Sequence, residues 1–218
     1  MSQTVDVDRP HLVYFADPMC SWCYGFAPVM ERIAAEHGDA LPLRLIMGGL
    51  RAYNTRPMDA GDKEYIKGAW TRVAAASGQP FDHSFFERDG FVYDTEPACR
   101  AVVVMGRRAP ELALRFKARV SRAFYAEGTD TTREGVLAAL AAELGQDETE
   151  FALDLGSERS REETAQDFAI TKATGIDGFP MLVAGTAAGG FEVISAGFSP
   201  AERVLARLAA WKDRANAG

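Results

Sequence analysis

Strand-forming sequence is confined to the two ends of this chain, and that distribution limits the fold more than any other feature. Near the start, Leu12-Val13-Tyr14-Phe15 is a short apolar run of β-formers cut off by Asp17-Pro18, and Leu41 to Met47 is a second run that stops at Gly48-Gly49. Near the end, Met181 to Ala184 and Phe191 to Ile194 flank a glycine-rich stretch from Gly185 to Gly190, which reads as a hairpin. From Asp59 to about Gly175 the helical period persists instead. A two-stranded fragment cannot bury its faces alone, so the two ends must meet in one sheet and the helical block must interrupt it.

Between the first two strands, Cys20 to His37 carries apolar residues at helical spacing (Phe26, Val29, Met30, Ile33), and Gly38 stands where a helix takes a left-handed end. Pro28 should kink this helix unless it falls in a first turn. Strand, helix, strand makes a βαβ unit. Within the block, punctuation predicts helices over Asp62 to Ala76, closing at Gly78, over Pro97 to Arg108 behind Thr95, and over Pro110 to Ala126, closing at Gly128. Two more open on the capping-box patterns Thr131-x-x-Glu134 and Ser160-x-x-Glu163 and end at Gly145 and Gly175. Ser199-Pro200-Ala201-Glu202 starts a final amphipathic helix. The expected organisation is α/β, with a βαβ half over residues 1–55, a helical insertion over 56–174 and a ββα half over 175–218.

Composition narrows the partners. The 218 residues include 24 basic and 31 acidic side chains, a net charge of −7, and the cations are scattered, so nothing draws the chain to nucleic acid or to anionic lipid. No apolar run approaches the roughly 20 residues that span a bilayer, and residues Met1 to Pro10 lack the apolar core of an export signal. Three cysteines, Cys20, Cys23 and Cys99, are too few for a secreted disulfide scaffold. These features predict a cytoplasmic protein of a reducing compartment, with no membrane partner.

The chemistry concentrates in Cys20-Ser21-Trp22-Cys23, at the junction of the first strand and first helix. A spacing of three on a helix brings both sulfurs to one face, where they can close a disulfide ring. At the opening turn, free backbone N–H groups and the helix dipole favour a thiolate on Cys20, and Cys23, one turn deeper, would act second on the mixed disulfide. Two structural alternatives compete. A zinc site needs two more ligands, and the chain offers only Cys99, some carboxylates and the isolated His11, His37 and His83; two inert buried cysteines would not explain the placement. No metal is expected. Cys99 reads as a small buried hydrophobe, the sharper alternative being a third thiol brought near Cys20 by the helical block. Gly178-Phe179-Pro180, just before a strand, is open to two readings: a cis proline that turns the Phe179 backbone outward toward an extended substrate, or a trans proline that simply starts the strand.

The string Asp17-Pro18-Met19-Cys20-Ser21-Trp22-Cys23-Tyr24-Gly25-Phe26, together with Gly178-Phe179-Pro180 and the helical block between, resembles the DsbA-like family of thioredoxin-fold thiol–disulfide oxidoreductases, and within it the unexported FrnE-like branch. The resemblance implies a thioredoxin-like fold with an inserted helical domain, Cys20 as nucleophile, Cys23 as resolving cysteine, a cis Pro180 packed on the sulfurs, and Phe179 presenting backbone to substrate. Ser21 stands where many relatives have Pro, and Trp22 where exporting members often carry His; the absence of that His implies a less oxidising pair. Relatives often keep a buried carboxylate six residues before the nucleophile, and here that place is Tyr14, which leaves the proton acceptor for Cys23 unassigned. Met19 and Trp22 are the residues expected to be exposed for gripping substrate, whereas Tyr24 and Phe26 read as core.

The expected activity is dithiol–disulfide exchange that reduces or isomerises disulfides in protein, peptide or small-thiol substrates, with no bound cofactor and glutathione admissible as co-substrate. One alternative is a glutathione-binding transferase or isomerase similar to the kappa-class and hydroxychromene-carboxylate types, which generally use Ser at the nucleophile position. Another is a non-catalytic, chaperone-like or zinc-holding module.

Overall fold

The computed structural model describes residues 8–38 and 40–217, so residues 1–7 of the segment read above for an export signal lie outside the described residues. Both ends of the chain contribute to one four-stranded sheet. The strands are β1 (His11–Ala16), β2 (Leu43–Met47), β3 (Met181–Thr186) and β4 (Gly190–Ala196), in the order β2-β1-β3-β4. β1 pairs parallel with β2 and antiparallel with β3, and β3 with β4 form the predicted hairpin. A parallel β1/β2 pair requires a crossover, and the helical segment containing the cysteine pair supplies it.

Helices α1 (Ser21–Gly25) and α2 (Ala27–His37) form that crossover. The predicted continuous helix is broken at Phe26, because Pro28 lacks an N–H and is accommodated in the first turn of α2. Gly38 ends α2 with φ −56°, so the left-handed end expected there does not form. The block then runs α3 (Ala60–Ser77), α4 (Glu96–Arg108), α5 (Ala113–Ala126), α6 (Glu134–Ala142), α7 (Glu148–Leu155) and α8 (Glu158–Ala173), and α9 (Ala201–Ala217) follows the hairpin. α7, capped by Asp147, is an additional helix, and two caps differ from expectation. Ser157, not Ser160, caps α8, accepting from the Ser160 N–H. Thr131 caps nothing, because Glu134 is drawn away into an ion pair with the buried Arg100 at 2.8 Å.

Alternation along β1 assigns its two faces. Leu12 and Tyr14 join Leu182, Ala184 and Ile194 in a core closed by Phe26 at the α1–α2 break, by Met30 and Ile33 of α2 and by Val204 and Leu208 of α9. On the other face, Val13, Phe15 and Ile46 pack with Ile170 of α8. The block has its own aromatic centre, in which Trp70 meets Phe85 at 5.1 Å, Phe86 at 4.7 Å and Tyr125 at 5.1 Å between ring centroids. Phe85 and Phe86 lie on a short 3-10 turn, His83–Glu87, so their role is packing. Met19, Tyr24 and Met47 extend this core toward the sheet.

α8 also covers the free edge of β2. Asp167 Oδ2 accepts from the Met47 N–H at 2.9 Å, and Thr171 Oγ1 donates to the Met47 carbonyl at 3.1 Å. Two side chains thus do the work of a missing neighbour strand. Burial pushes the Asp167 carboxyl up to about 6, against the Met47 N–H and Arg44, which favour the carboxylate, while Glu163 adds to the rise.

The folded state therefore holds the Asp167 proton more tightly than the unfolded chain does, and this group's contribution to stability is lost as pH rises from the usual carboxylate range through about 6. We expect the difference in unfolding free energy between the native protein and Asp167→Asn, measured by urea denaturation, to move against the native protein over that interval. A difference that stays flat with pH would overturn this assignment.

Candidate active site

The strand-to-helix junction after β1 is buried beneath the helical block, and every polar group there needs a partner. Asp17 accepts from the Met19 N–H at 2.8 Å and, across the fold, from the Leu50 N–H at 2.7 Å; the Cys99 thiol donates to it at 3.4 Å. Three backbone carbonyls of the junction are taken up by side chains reaching out of the helical block. Ser121 of α5 donates to Pro18 at 2.7 Å, Tyr93 to Met19 at 2.7 Å, and Lys117 of α5 to Cys23 at 2.9 Å. The Tyr93 hydroxyl also meets that of Tyr125 at 3.0 Å.

Held this way, Cys20 is the N-cap of α1 and Cys23 lies within it. Both are free thiols. Cys20 retains 5% exposure and Cys23 none, so whatever reaches the pair meets Cys20 first. The Cys20 Sγ lies 3.6 Å from the Phe179 carbonyl oxygen, and the Phe179–Pro180 peptide is cis. Pro180 is buried and Phe179 half-buried. Opposite, a Cβ on Gly48 would fall 2.1 Å from the Phe179 ring, so the glycine leaves room for that ring. Trp22 is half-buried against Phe198 at 5.8 Å.

Met19 departs from expectation. Its side chain is fully buried in the aromatic core, because Asp17 and Tyr93 fix the backbone on both sides of it and turn the side chain inward. The exposed apolar rim is supplied instead by Leu50 and Tyr53, in the loop that follows Gly48-Gly49. Tyr53 is 61% exposed, adopts φ 63° and meets Phe168 at 6.0 Å. Arg51 lies over the Tyr93 ring at 5.2 Å.

The balance of charge also differs from expectation. The Cys20 thiol is raised, first by its hydrogen bond with Cys23, then by burial and by the charge of Cys23. Burial opposes ionisation of Cys23 too, but the bond from Cys20 and the charge of Lys117 outweigh it and leave Cys23 below the ordinary thiol value. The anion expected on Cys20 is thus shared with Cys23, whose ionisation the nearby Lys117 ammonium favours. Cys99 is fully buried, and burial followed by the Asp17 charge raises its thiol, which keeps it protonated. Tyr14, at the position where relatives often carry a carboxylate, is buried against the cysteine pair, and burial followed by the charges of Cys23 and Cys20 keeps its hydroxyl protonated. No three His, Cys, Asp or Glu side chains among the described residues are grouped to hold a metal ion.

The fold and this junction define a thioredoxin-type domain with a helical insertion, and the sequence profile of the DSBA-like thioredoxin domain matches residues 11–208. The chain belongs to that family. Among solved structures it is similar to a candidate protein disulfide isomerase from Nitrosomonas europaea, with 36% identity and a TM-score of 0.88 over 94% of this chain and 98% of that one. It is also similar to the cytosolic disulfide reductase DsbM from Pseudomonas aeruginosa, with 28% identity and a TM-score of 0.75 over 95% of this chain and all of that one; a further DsbM structure is with GSH. The ClpXP adapter protein SpxH of Halalkalibacterium halodurans is 26% identical over 180 residues, which is 80% of this chain but 58% of SpxH, so this chain spans less than two thirds of that relative.

The Tyr14 hydroxyl, buried beside Cys23 without a well-formed hydrogen bond, yields a direct expectation. Tyr14→Phe should change the unfolding free energy of the reduced protein by no more than about 1 kcal/mol, since the desolvation penalty of the buried hydroxyl offsets its poorly formed contact with Cys23. Chemical denaturation checks this, and a loss greater than about 1 kcal/mol would mean the hydroxyl is bonded.

Proposed function

We propose that this protein is a thiol–disulfide oxidoreductase that acts through Cys20 and Cys23 on disulfides of proteins, peptides or small thiols. The observation that carries this reading is the pairing of two free thiols on the opening turn of α1, with the outer one against the Phe179 carbonyl. Cys20 is the nucleophile because it is the sulfur with residual exposure. As it attacks a substrate disulfide, its proton passes to the Cys23 thiolate beside it, a Cys20–substrate disulfide forms, and the first substrate thiolate leaves. Cys23 then ionises, attacks Cys20 and releases the second substrate thiolate. The net result is one reduced substrate and a Cys20–Cys23 disulfide, which a small thiol such as glutathione returns to the dithiol. Phe179 and Pro180 frame the approach to Cys20, and Trp22 forms part of its rim.

Reduction or isomerisation is the direction expected of such a pair in a reducing cytoplasm. That compartment is consistent with the three cysteines and with similarity to a cytosolic reductase. No helix among the described residues is long and apolar enough to cross a membrane. A transferase of the kappa or hydroxychromene type fits less well, because Cys23 would then have no task. A second reading, a binding module without turnover, is favoured by the similarity to an adapter protein.

Differential alkylation with mass readout across a glutathione redox series separates these readings. Cys20 and Cys23 are expected to oxidise together as one couple, Cys20→Ser to abolish disulfide reduction, and Cys23→Ser to stall as a mixed disulfide. If no intramolecular bridge forms at any poise, the oxidoreductase reading fails. Activity that survives Cys23→Ala would favour the transferase, and client binding retained after both cysteines are replaced would favour the binding module.

A further inference from the structure

α5 contributes Ala113, Phe116, Val120, Ala123 and Phe124 to the buried core, and the same stripe contains a lysine. Lys117 is 1% exposed and is the one lysine buried among the described residues. Its Nζ donates to the Cys23 carbonyl at 2.9 Å and lies 5.9 Å from the centre of the Tyr14 ring. No carboxylate forms a salt bridge with it among the described residues, whereas buried Arg100 has Glu96 at 2.8 Å. A buried ammonium without a bonded counter-ion is costly, and the negative charge available nearby is that of the thiol pair and Asp17.

We propose that Lys117 is a positioning residue for the exchange reaction, a fixed positive charge behind Cys23 that holds the resolving cysteine as a thiolate and makes the dithiol state easier to reach. The inference rests on the oxidoreductase reading and adds to it the group that the site otherwise lacks, since Tyr14 occupies the place where a carboxylate was sought. Lys117 comes from the helical insertion and reaches the cysteine turn at the Cys23 carbonyl.

The electrostatics run both ways. The Lys117 charge lowers Cys23, and burial lowers Lys117 in turn, opposed by the charges of Cys23, then Cys20, Asp17 and Cys99. The groups that face this ammonium are therefore Cys20 and Cys23 at α1, Tyr14 on β1, Asp17 in the junction and Cys99 on α4. In the resolving step the Cys23 sulfur attacks Cys20 of the mixed disulfide, the Cys20–Cys23 bond forms, the bond from Cys20 to the substrate sulfur breaks, and the substrate leaves as a thiol that carries the proton given up by Cys23. Lys117 stays protonated throughout and stabilises the ion on Cys23. Oxidation to the disulfide removes that ion and leaves the ammonium facing Asp17 without it, so the charge favours the reduced pair.

The test compares the native protein with Lys117→Met, which keeps length and volume without the charge, and Lys117→Arg, which keeps the charge. The thiolate of the reduced protein is titrated by its ultraviolet absorbance, the dithiol–disulfide equilibrium is measured against glutathione at pH 7, and resolution of a preformed Cys20 mixed disulfide is followed as a function of pH. Lys117→Met is expected to raise the thiolate midpoint by at least about one pH unit and to disfavour the reduced state by about tenfold, about 30 mV for a two-electron couple. It should also slow resolution at neutral pH by about tenfold, with recovery at alkaline pH. Lys117→Arg should stay close to the native values. A folded Lys117→Met with unchanged midpoint and equilibrium overturns the inference while leaving the oxidoreductase reading intact; failure of the native pair to form a bridge overturns that reading separately. Should Lys117→Met not fold, side-chain nitrogen NMR of the native protein decides the matter: the Lys117 ammonium must titrate at lower pH in the oxidised protein than in the reduced one, and coincident titrations overturn the inference.

Discussion

The geometry of the cysteine turn depends on three hydrogen bonds that arrive from far along the chain. Between β1 and α1 the backbone leaves regular structure while still buried, and α1 ends two residues after Cys23, so the carbonyls of Pro18, Met19 and Cys23 need hydrogen-bond partners from elsewhere. Ser121, Tyr93 and Lys117 supply the donors. Each such group left unpaired would cost about 1–3 kcal/mol, so the three together are comparable to a sizeable part of a domain's net stability. The helical insertion is thus more than a cover. It completes the hydrogen bonding of the turn that presents Cys20 and Cys23, and the turn in turn gives the insertion a fixed place to dock.

Asp17 performs the complementary task for N–H groups, and its two bonds join parts of the fold that sequence separates. Through Met19 it shapes the cysteine turn, and through Leu50 it fixes the loop leaving β2. That loop brings Gly48 under the Phe179 ring and carries Leu50 and Tyr53 on the exposed rim. Burial raises the Asp17 carboxyl while its hydrogen bonds from Met19, Thr95, Leu50 and Cys99 hold it down. The result is a cluster in which Asp17, the thiol pair and Lys117 share charge in a space closed to water. A shared charge of this kind titrates as a unit, which is why the anion cannot be assigned from the helix N-terminus alone.

Much of this arrangement was legible in the sequence, and the gaps have physical causes. Confinement of β-formers to the two ends required one sheet split by a helical block, and the sheet order follows that requirement. The cysteine pair and Phe179-Pro180 could be read because their chemistry is local, encoded in spacing and in a ring. The exposure of Met19 was misjudged because adjacency to Cys20 carries no information about a carbonyl held by Tyr93, 74 residues away. Thr131 failed as a cap for a similar reason: Glu134 had a stronger partner in Arg100. Lys117, by contrast, did leave a signal. It falls three residues before Val120 and seven before Phe124, in the apolar stripe of α5, where a charged side chain must either snorkel or find a buried anion.

The direction of that choice follows from where α5 lies. A lysine near the end of a helix can lead its ammonium out to solvent along its own methylenes, but Lys117 is in the second turn of α5, with Tyr14 of the sheet on one side and the cysteine turn on the other. The ammonium has no path to water, so its solvation must come from the Cys23 carbonyl and from negative charge on neighbouring groups. A hydrophobic residue of the same volume would fill this space with no desolvation penalty and would give a core at least as stable. The position therefore makes no sense as packing alone. The charge is intelligible once the thiol beside it has to ionise out of contact with solvent, because the same low-dielectric burial that penalises an isolated ammonium strengthens its hold on a thiolate.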